Sequence, residues 1–255
     1  MNNLRLLPGR DAALAQLREQ IQRVERLAPE AAAVRPFGLP ALDGALAEGG
    51  LAAGLHEIAA APGGAGAALG FAAAVAGLAG GAVLWVAAPG GRLYGPGLAA
   101  LGLPPERLLL ARARDAKSVL WAMEEGLKSR ALAAVVGEAM AVDLVGARRL
   151  QLAAAAGGGL ALLLRPEEGA VGDAAGTAAT RWRVGPATSD AVDLPQMLPG
   201  LGRARWDVTL MHGRHGARPG NWIVEWDHDA RRFALALPVA DALADRPLAR
   251  AAAAG

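Results

Sequence analysis

The run Gly54-Leu55-His56-Glu57-Ile58-Ala59-Ala60-Ala61-Pro62-Gly63-Gly64-Ala65-Gly66-Ala67-Ala68 constrains the fold of this chain most tightly. It reads as a strand, a flexible turn and the start of a helix. That layout matches the phosphate-cradling loop G-x-x-x-x-G-K-[ST], in which a lysine reaches the terminal phosphates and a hydroxyl binds magnesium. Laid on the pattern, Ala61 replaces the first glycine and Gly66 keeps the second. Pro62, Gly63 and Gly64 fill the turn between them. Ala67 then stands where the lysine belongs, and Ala68 where the hydroxyl belongs. Backbone N–H groups and the helix dipole leave at most a weak grip on an anion.

Strand-like and helical segments alternate downstream. Strands are predicted at 82–87, 107–111, 132–137 and 159–164, and helices near 66–79, 95–102, 116–129 and 143–156. Asp115 is the expected N-cap of a helix whose apolar face is Ala116, Val119, Leu120, Met123 and Leu127. Its Glu124 and Lys128 stand in the favourable i,i+4 order. Such alternation builds an α/β fold with a mostly parallel central sheet and helices on both faces. After Arg165 a small-residue loop at 166–180 gives way to strand-like runs at 180–185, 205–211, 221–226 and 232–237, read as a C-terminal antiparallel β extension. The expected division is an N-terminal amphipathic helix and linker at 1–36, a core at 37–237 and a mobile tail at 238–255. Within 11–27, Leu14, Leu17, Ile21 and Val24 recur at three- and four-residue steps. That stripe serves either to pack on the core or to contact a second subunit or partner.

Composition narrows the classes further. The chain has 255 residues, 53% of them hydrophobic, enough for a substantial core. With no cysteine, disulfides, thiolate nucleophiles and cysteine zinc sites are excluded. No charged residue lies between Glu57 and Arg92, a length able to span a bilayer. Pro62, Pro89 and the glycine pairs at 63–64 and 80–81 interrupt it, so a buried loop–helix–strand unit is expected. Met1-Asn2-Asn3-Leu4-Arg5 leads into a charged segment, so no signal peptide is expected and the expected location is cytoplasmic. A net charge of +2 does not demand a nucleic-acid partner. Lysine occurs only at 117 and 128, which leaves none beside the glycine turn.

The segment Phe37-Gly38-Leu39-Pro40-Ala41-Leu42-Asp43-Gly44-Ala45-Leu46, followed by Gly49-Gly50-Leu51, Gly54 and Glu57-Ile58, resembles the approach to the RecA nucleotide site. Further matches are Leu93-Tyr94-Gly95-Pro96-Gly97-Leu98, Trp121-Ala122-Met123-Glu124-Glu125, Ala133-Ala134-Val135-Val136-Gly137-Glu138 and Arg148-Arg149-Leu150-Gln151. Arg181-Trp182-Arg183-Val184 and Pro219-Gly220-Asn221-Trp222 complete the series. In order and spacing these resemble the ImuA family, RecA-related proteins encoded with bacterial SOS mutagenesis genes. The similarity covers roughly 37–237. It implies a RecA-like core and an accessory role in damage-induced translesion synthesis and mutagenesis, within DNA repair. The implied partners are an ImuB-like inactive Y-family polymerase homologue, an error-prone DnaE-type polymerase and RecA itself. Side-by-side homo-oligomers are implied by the same analogy. SulA-like division inhibitors share the superfamily, but this chain is longer and its core looks complete.

Measured against a RecA-type ATPase, the remaining chemistry is sparse. A catalytic glutamate should follow the second core strand, yet no Asp or Glu occurs between 58 and 105. The strand at 132–136 should deliver a Walker B aspartate, but Gly137 takes that place and Glu138 follows as a solvated or structural carboxylate. The glutamine sensor position reads Arg165-Pro166. Coordinated loss predicts a pseudo-ATPase with no catalytic residue and no cofactor. The competing reading is a DNA-stimulated ATPase using Glu138 and a partner's arginine. His212-x-x-His215 with Asp227 and His228 reads as a hairpin tip with surface histidines, so no metal is expected. Arg181, Arg183, Arg203, Arg205, Arg214 and Arg218 gather with Trp182, Trp206 and Trp222 on the C-terminal strands. They form either a groove for single-stranded DNA or an acidic partner, or a solvated sheet face over a tryptophan core. Alternation places Arg181 and Arg183 on one face and Trp182 on the other. Glu167, Glu168 and Asp173 make the 166–180 loop acidic, which argues against RecA-like DNA contact there.

Overall fold

The computed structural model describes residues 34–91, 93–139, 142–165, 177–189, 192–194, 198–200 and 202–236. The stripe of Leu14, Leu17, Ile21 and Val24, the tail at 238–255 and most of the 166–180 loop lie outside those residues. A one-turn helix α1 (Pro40–Asp43) leads into β1 (Gly54–Ala60), α2 (Ala65–Leu78), β2 (Val83–Ala87) and α3 (Gly95–Ala100). Then come β3 (Leu108–Arg112), α4 (Ala116–Lys128), β4 (Ala134–Glu138), α5 (Leu144–Gly157) and β5 (Leu160–Arg165). The C-terminal part holds β6 (Thr180–Pro186), β7 (Val192–Leu194), β8 (Leu198–Gly200), β9 (Arg205–Gly213), β10 (Gly220–Asp227) and β11 (Arg232–Leu235).

Local chemistry accounts for most of these boundaries. Asp115 caps α4 by accepting the Ser118 N–H at 2.7 Å, as the sequence suggests. Asp143 caps α5 in the same way through the Gly146 N–H at 2.7 Å. The carboxylate of Asp43 accepts the N–H groups of Phe37 and Leu39, which folds the approach segment back onto α1. β2, β4 and β5 carry near-continuous apolar runs, as parallel strands covered on both faces require. The stretch from 58 to 91 forms the turn, α2 and β2, and no helix among the described residues is long and apolar enough to cross a membrane.

A nine-stranded sheet in the order β11-β10-β9-β6-β1-β5-β4-β2-β3 organises the chain. The antiparallel part begins one strand later than the sequence suggests. β6 runs parallel to β1, and only β9, β10 and β11 are antiparallel. The crossover from β5 to β6 contains no described helix, so the alternation that signals parallel strands is missing there. β7 and β8 form a separate hairpin that sequence reading misses, because Pro195 and Pro199 argue against strands and three residues are too few to alternate.

Two apolar layers cover the sheet. On one face α2, built almost wholly of Ala and Gly, lies close to the strands and inserts Phe71 among large rings. Phe37, Phe71, Trp182, Trp206, Trp226 and Phe233 form a connected aromatic cluster, with centroids between 5.1 Å (Trp226–Phe233) and 6.4 Å (Phe71–Trp182). On the other face Leu55, Leu84, Val135, Leu163 and Met123 pack beneath α4 and α5. The strands β6, β9 and β10 keep their tryptophans and Val208 on the α2 face and present Arg183, Asp207 and Asn221 to solvent.

The seam between β1 and β6 is polar on both faces. On the α2 face His56 Nδ1 lies 2.8 Å from Thr180 Oγ1, and Nε2 lies 2.8 Å from the Ala52 carbonyl. Thr180 Oγ1 already accepts the Trp182 indole N–H at 2.7 Å. The hydroxyl therefore donates to Nδ1, and the neutral Nε2–H tautomer donates to Ala52. Burial holds the His56 pKa down at about 4, against an ordinary 6.5. Between those values the unfolded chain binds more protons than the folded one. Stability from this residue is therefore present above 6.5 and is lost as pH falls toward 4. Between about pH 7 and about pH 4.5 wild type should lose about 2 kcal/mol more than a His56→Gln variant in urea unfolding. Equal losses in the two proteins would contradict the arrangement.

Candidate functional site

The β1–α2 turn has the backbone of a nucleotide loop and a different side-chain setting. Gly63 adopts φ +70°, a left-handed conformation that favours glycine. At Gly64 an added Cβ would lie 2.9 Å from the Ala61 carbonyl and 3.0 Å from that of Val184. Those two glycines are therefore required by the turn, which Ala61 closes through hydrogen bonds with Val184 and Gly64. Gly66 has open space around it and no such requirement. Pro62 and Gly63 are exposed at the tip. Ala67 packs against the core from its edge, and Ala68 is fully buried in it. The position assigned to a magnesium-binding hydroxyl thus faces apolar side chains.

The strand end that should supply a metal-binding aspartate is arranged differently from the sequence expectation. Gly137 points to the α4 side, where an added Cβ would lie 2.1 Å from Met123 Sδ. Any larger residue there collides with the core. Glu138, one residue on, lies on the α2 face with Trp85, and its Oε1 accepts the Trp85 indole N–H at 2.8 Å. It is 9% exposed, a buried structural carboxylate rather than a solvated one. Gly91 packs against its other oxygen. Tyr94 stands nearby in sequence, 73% exposed at the start of α3.

Glu57 is the functional-looking residue that sequence reading misses. Its side chain is 1% exposed, and Oε2 accepts Arg181 Nε at 2.9 Å. Arg165 Nη1 approaches the same oxygen at 3.7 Å. The residue at the sensor position is thereby part of an internal ion cluster. The signal available was a carboxylate inside a strand of otherwise uncharged residues. Glu57 Oε1 and Arg181 Nη2 are buried without a hydrogen-bond partner among the described residues.

The six arginines do not form one groove. Arg181 turns inward to Glu57, while Arg183 is exposed on the same sheet face. Arg205 Nε binds Glu225 at 2.9 Å, and Arg203 reaches Glu225 at 3.4 Å and Asp227 at 3.2 Å. Arg214 and Arg218 hold loops by donating to the carbonyls of Thr177 and Gly44. Trp182 and Trp206 are in the aromatic core, and Trp222 is half-buried against it. His212 and His215 are exposed, while His228 Nδ1 faces the Ala100 carbonyl at 3.1 Å. Asp227 accepts the N–H groups of Asp229 and Ala230, and these backbone bonds hold its pKa below the usual carboxylate value. Among the described residues no three metal-type ligands come together.

Comparison with known proteins places this geometry. No family model matches the chain. It is 42% identical over 159 residues to protein ImuA of Caulobacter vibrioides strain NA1000 / CB15N, a match covering 58% of this chain and 64% of that protein. Protein ImuA of strain ATCC 19089 / CIP 103742 / CB 15 gives the same figures. The chain thus spans just under two thirds of the length of the curated relatives it matches. Among solved structures it is similar to the crystal structure of the RadB recombinase, with a TM-score of 0.56 and 16% identity, over 80% of this chain and 100% of that one. The chain is related to ImuA over the matched stretch, and its fold is RecA-like.

Two substitutions test the internal geometry. Arg181→Ala strands a buried carboxylate and should cost about 3–5 kcal/mol, while Arg214→Ala should stay within about 0.5 kcal/mol in urea unfolding. Gly137→Ala should cost about 1–3 kcal/mol, because the new methyl must displace Met123. Comparable losses for the two arginine variants, or an unchanged midpoint for Gly137→Ala, would contradict these contacts.

Proposed function

We propose that this chain is a non-catalytic RecA-like accessory subunit of a damage-induced translesion-synthesis complex, acting in mutagenesis through protein contacts. The carrying observation is the side-chain set around the β1–α2 turn. Phosphoryl transfer needs a cation on the terminal phosphates, metal ligands and a group that orients water. At those positions this chain offers the methyls of Ala67 and Ala68, the closed site of Gly137 and a Glu138 bound to Trp85. An ATPase built on Glu138 would first have to break that indole bond and then replace the missing cation from elsewhere.

The relation to ImuA supports the setting in DNA damage-induced mutagenesis. It makes an ImuB-like polymerase homologue, an error-prone DnaE-type polymerase and RecA the partners to test. Deleting the gene should reduce ultraviolet-induced mutation to the undamaged background. The tagged full chain should co-purify the first two partners from damaged cells. Unchanged induced mutation in the deletion strain would overturn the proposal.

A further inference from the structure

An open groove beside the free edge of the sheet is unused by the reading above. It encloses about 1240 Å³ between β3 and the N-terminal parts of α4 and α5. Its lining includes the apolar side chains of Ala111, Leu120, Trp121 and Val145, the last 66% exposed. Arg112, Arg114 and Lys117 are exposed along the same groove, and none forms an ion pair with a described residue. The carboxylates that line it are engaged within the chain. Asp115 caps α4, Asp143 caps α5, and Glu124 binds Lys128 at 2.7 Å and Arg149 at 2.6 Å. An apolar floor therefore sits under a positive rim whose charge is not compensated locally.

The adjoining strand adds a second element of recognition. β3 pairs only with β2, so its outer N–H and C=O groups meet no neighbouring strand in the sheet. Leu110 in that strand is 46% exposed. An extended peptide laid along such an edge gains main-chain hydrogen bonds and sends alternate side chains to one side. Aliphatic residues would then meet the floor, and carboxylates would meet the three cations.

We infer that this groove binds an acidic, aliphatic peptide segment of a partner protein, added as a strand to β3. The inference rests on the protein-contact reading of function and supplies the chemistry of one contact. The direct test is fluorescence anisotropy of the full chain with a labelled synthetic peptide alternating leucine and glutamate. Its comparators are a leucine–lysine peptide and a single-stranded oligonucleotide.

The acidic peptide should bind about tenfold or more tighter than the basic one, and added salt should weaken it. Combined Arg112→Glu, Arg114→Glu and Lys117→Glu substitutions should weaken it by about tenfold or more, as should Val145→Asp, with melting temperatures retained. These are surface positions, and Lys117→Glu alone gives a milder variant should the combination fold poorly. Equal affinity for the two peptides, or undiminished binding by the folded charge-reversal variant, would overturn the inference. So would tighter binding of the oligonucleotide at the same residues. Self-association abolished by the same substitutions would assign the groove to a second copy and overturn it as well. Peptide binding reads the groove alone, so its failure leaves the mutagenesis reading standing; that reading fails only on the deletion phenotype.

Discussion

The junction of β1 and β6 holds the molecule together as one sheet. Five strands, from β1 out to β3, form the parallel half, and the C-terminal strands reach it only through β6. Each face of that junction is closed by a buried polar contact in register. His56 stands opposite Thr180 on the α2 face, and Glu57 stands opposite Arg181 on the other. Buried polar groups are tolerable only when paired, and a one-residue slip would break both contacts and exchange the faces of every side chain. The register that satisfies them also carries Trp182 into the aromatic cluster beside Phe37 and Phe71. Approach segment, central helix and C-terminal strands are thus fixed by the same alignment.

That alignment explains which parts of the fold are legible in sequence. Asp115 three residues before Ser118, the glycines of the turn and the apolar runs of β2, β4 and β5 are local signals, and the structure carries them. Glu57 and Arg181 are separated by 124 positions, so nothing near either residue names the other. The direction of β6 was equally hidden, because the segment before it lacks a helical pattern. α2 is apolar nearly all round, so periodicity does not say which side it buries.

The nucleotide-loop region was legible as a loss but not as a geometry. The absence of lysine and hydroxyl at Ala67 and Ala68 is plain in the residues themselves. That Gly137 faces Met123, and Glu138 faces Trp85, depends on a strand register set by tertiary pairing. What remains around the turn is packing. Gly63 and Gly64 shape the chain, the alanines fill the core, and Glu138 satisfies an indole. A RecA-like shape survives here as a scaffold, and its exposed edges and grooves are the surfaces left to do work.

The central claim concerns nucleotide, and thermal unfolding of the full chain with and without ATP–Mg²⁺ tests it most directly. A ligand that binds only the folded state at about one hundred times its Kd adds about 2.7 kcal/mol of stability, a rise of several degrees. The account predicts an unchanged unfolding temperature at millimolar nucleotide, with or without single-stranded DNA. A saturable rise accompanied by phosphate release would contradict it.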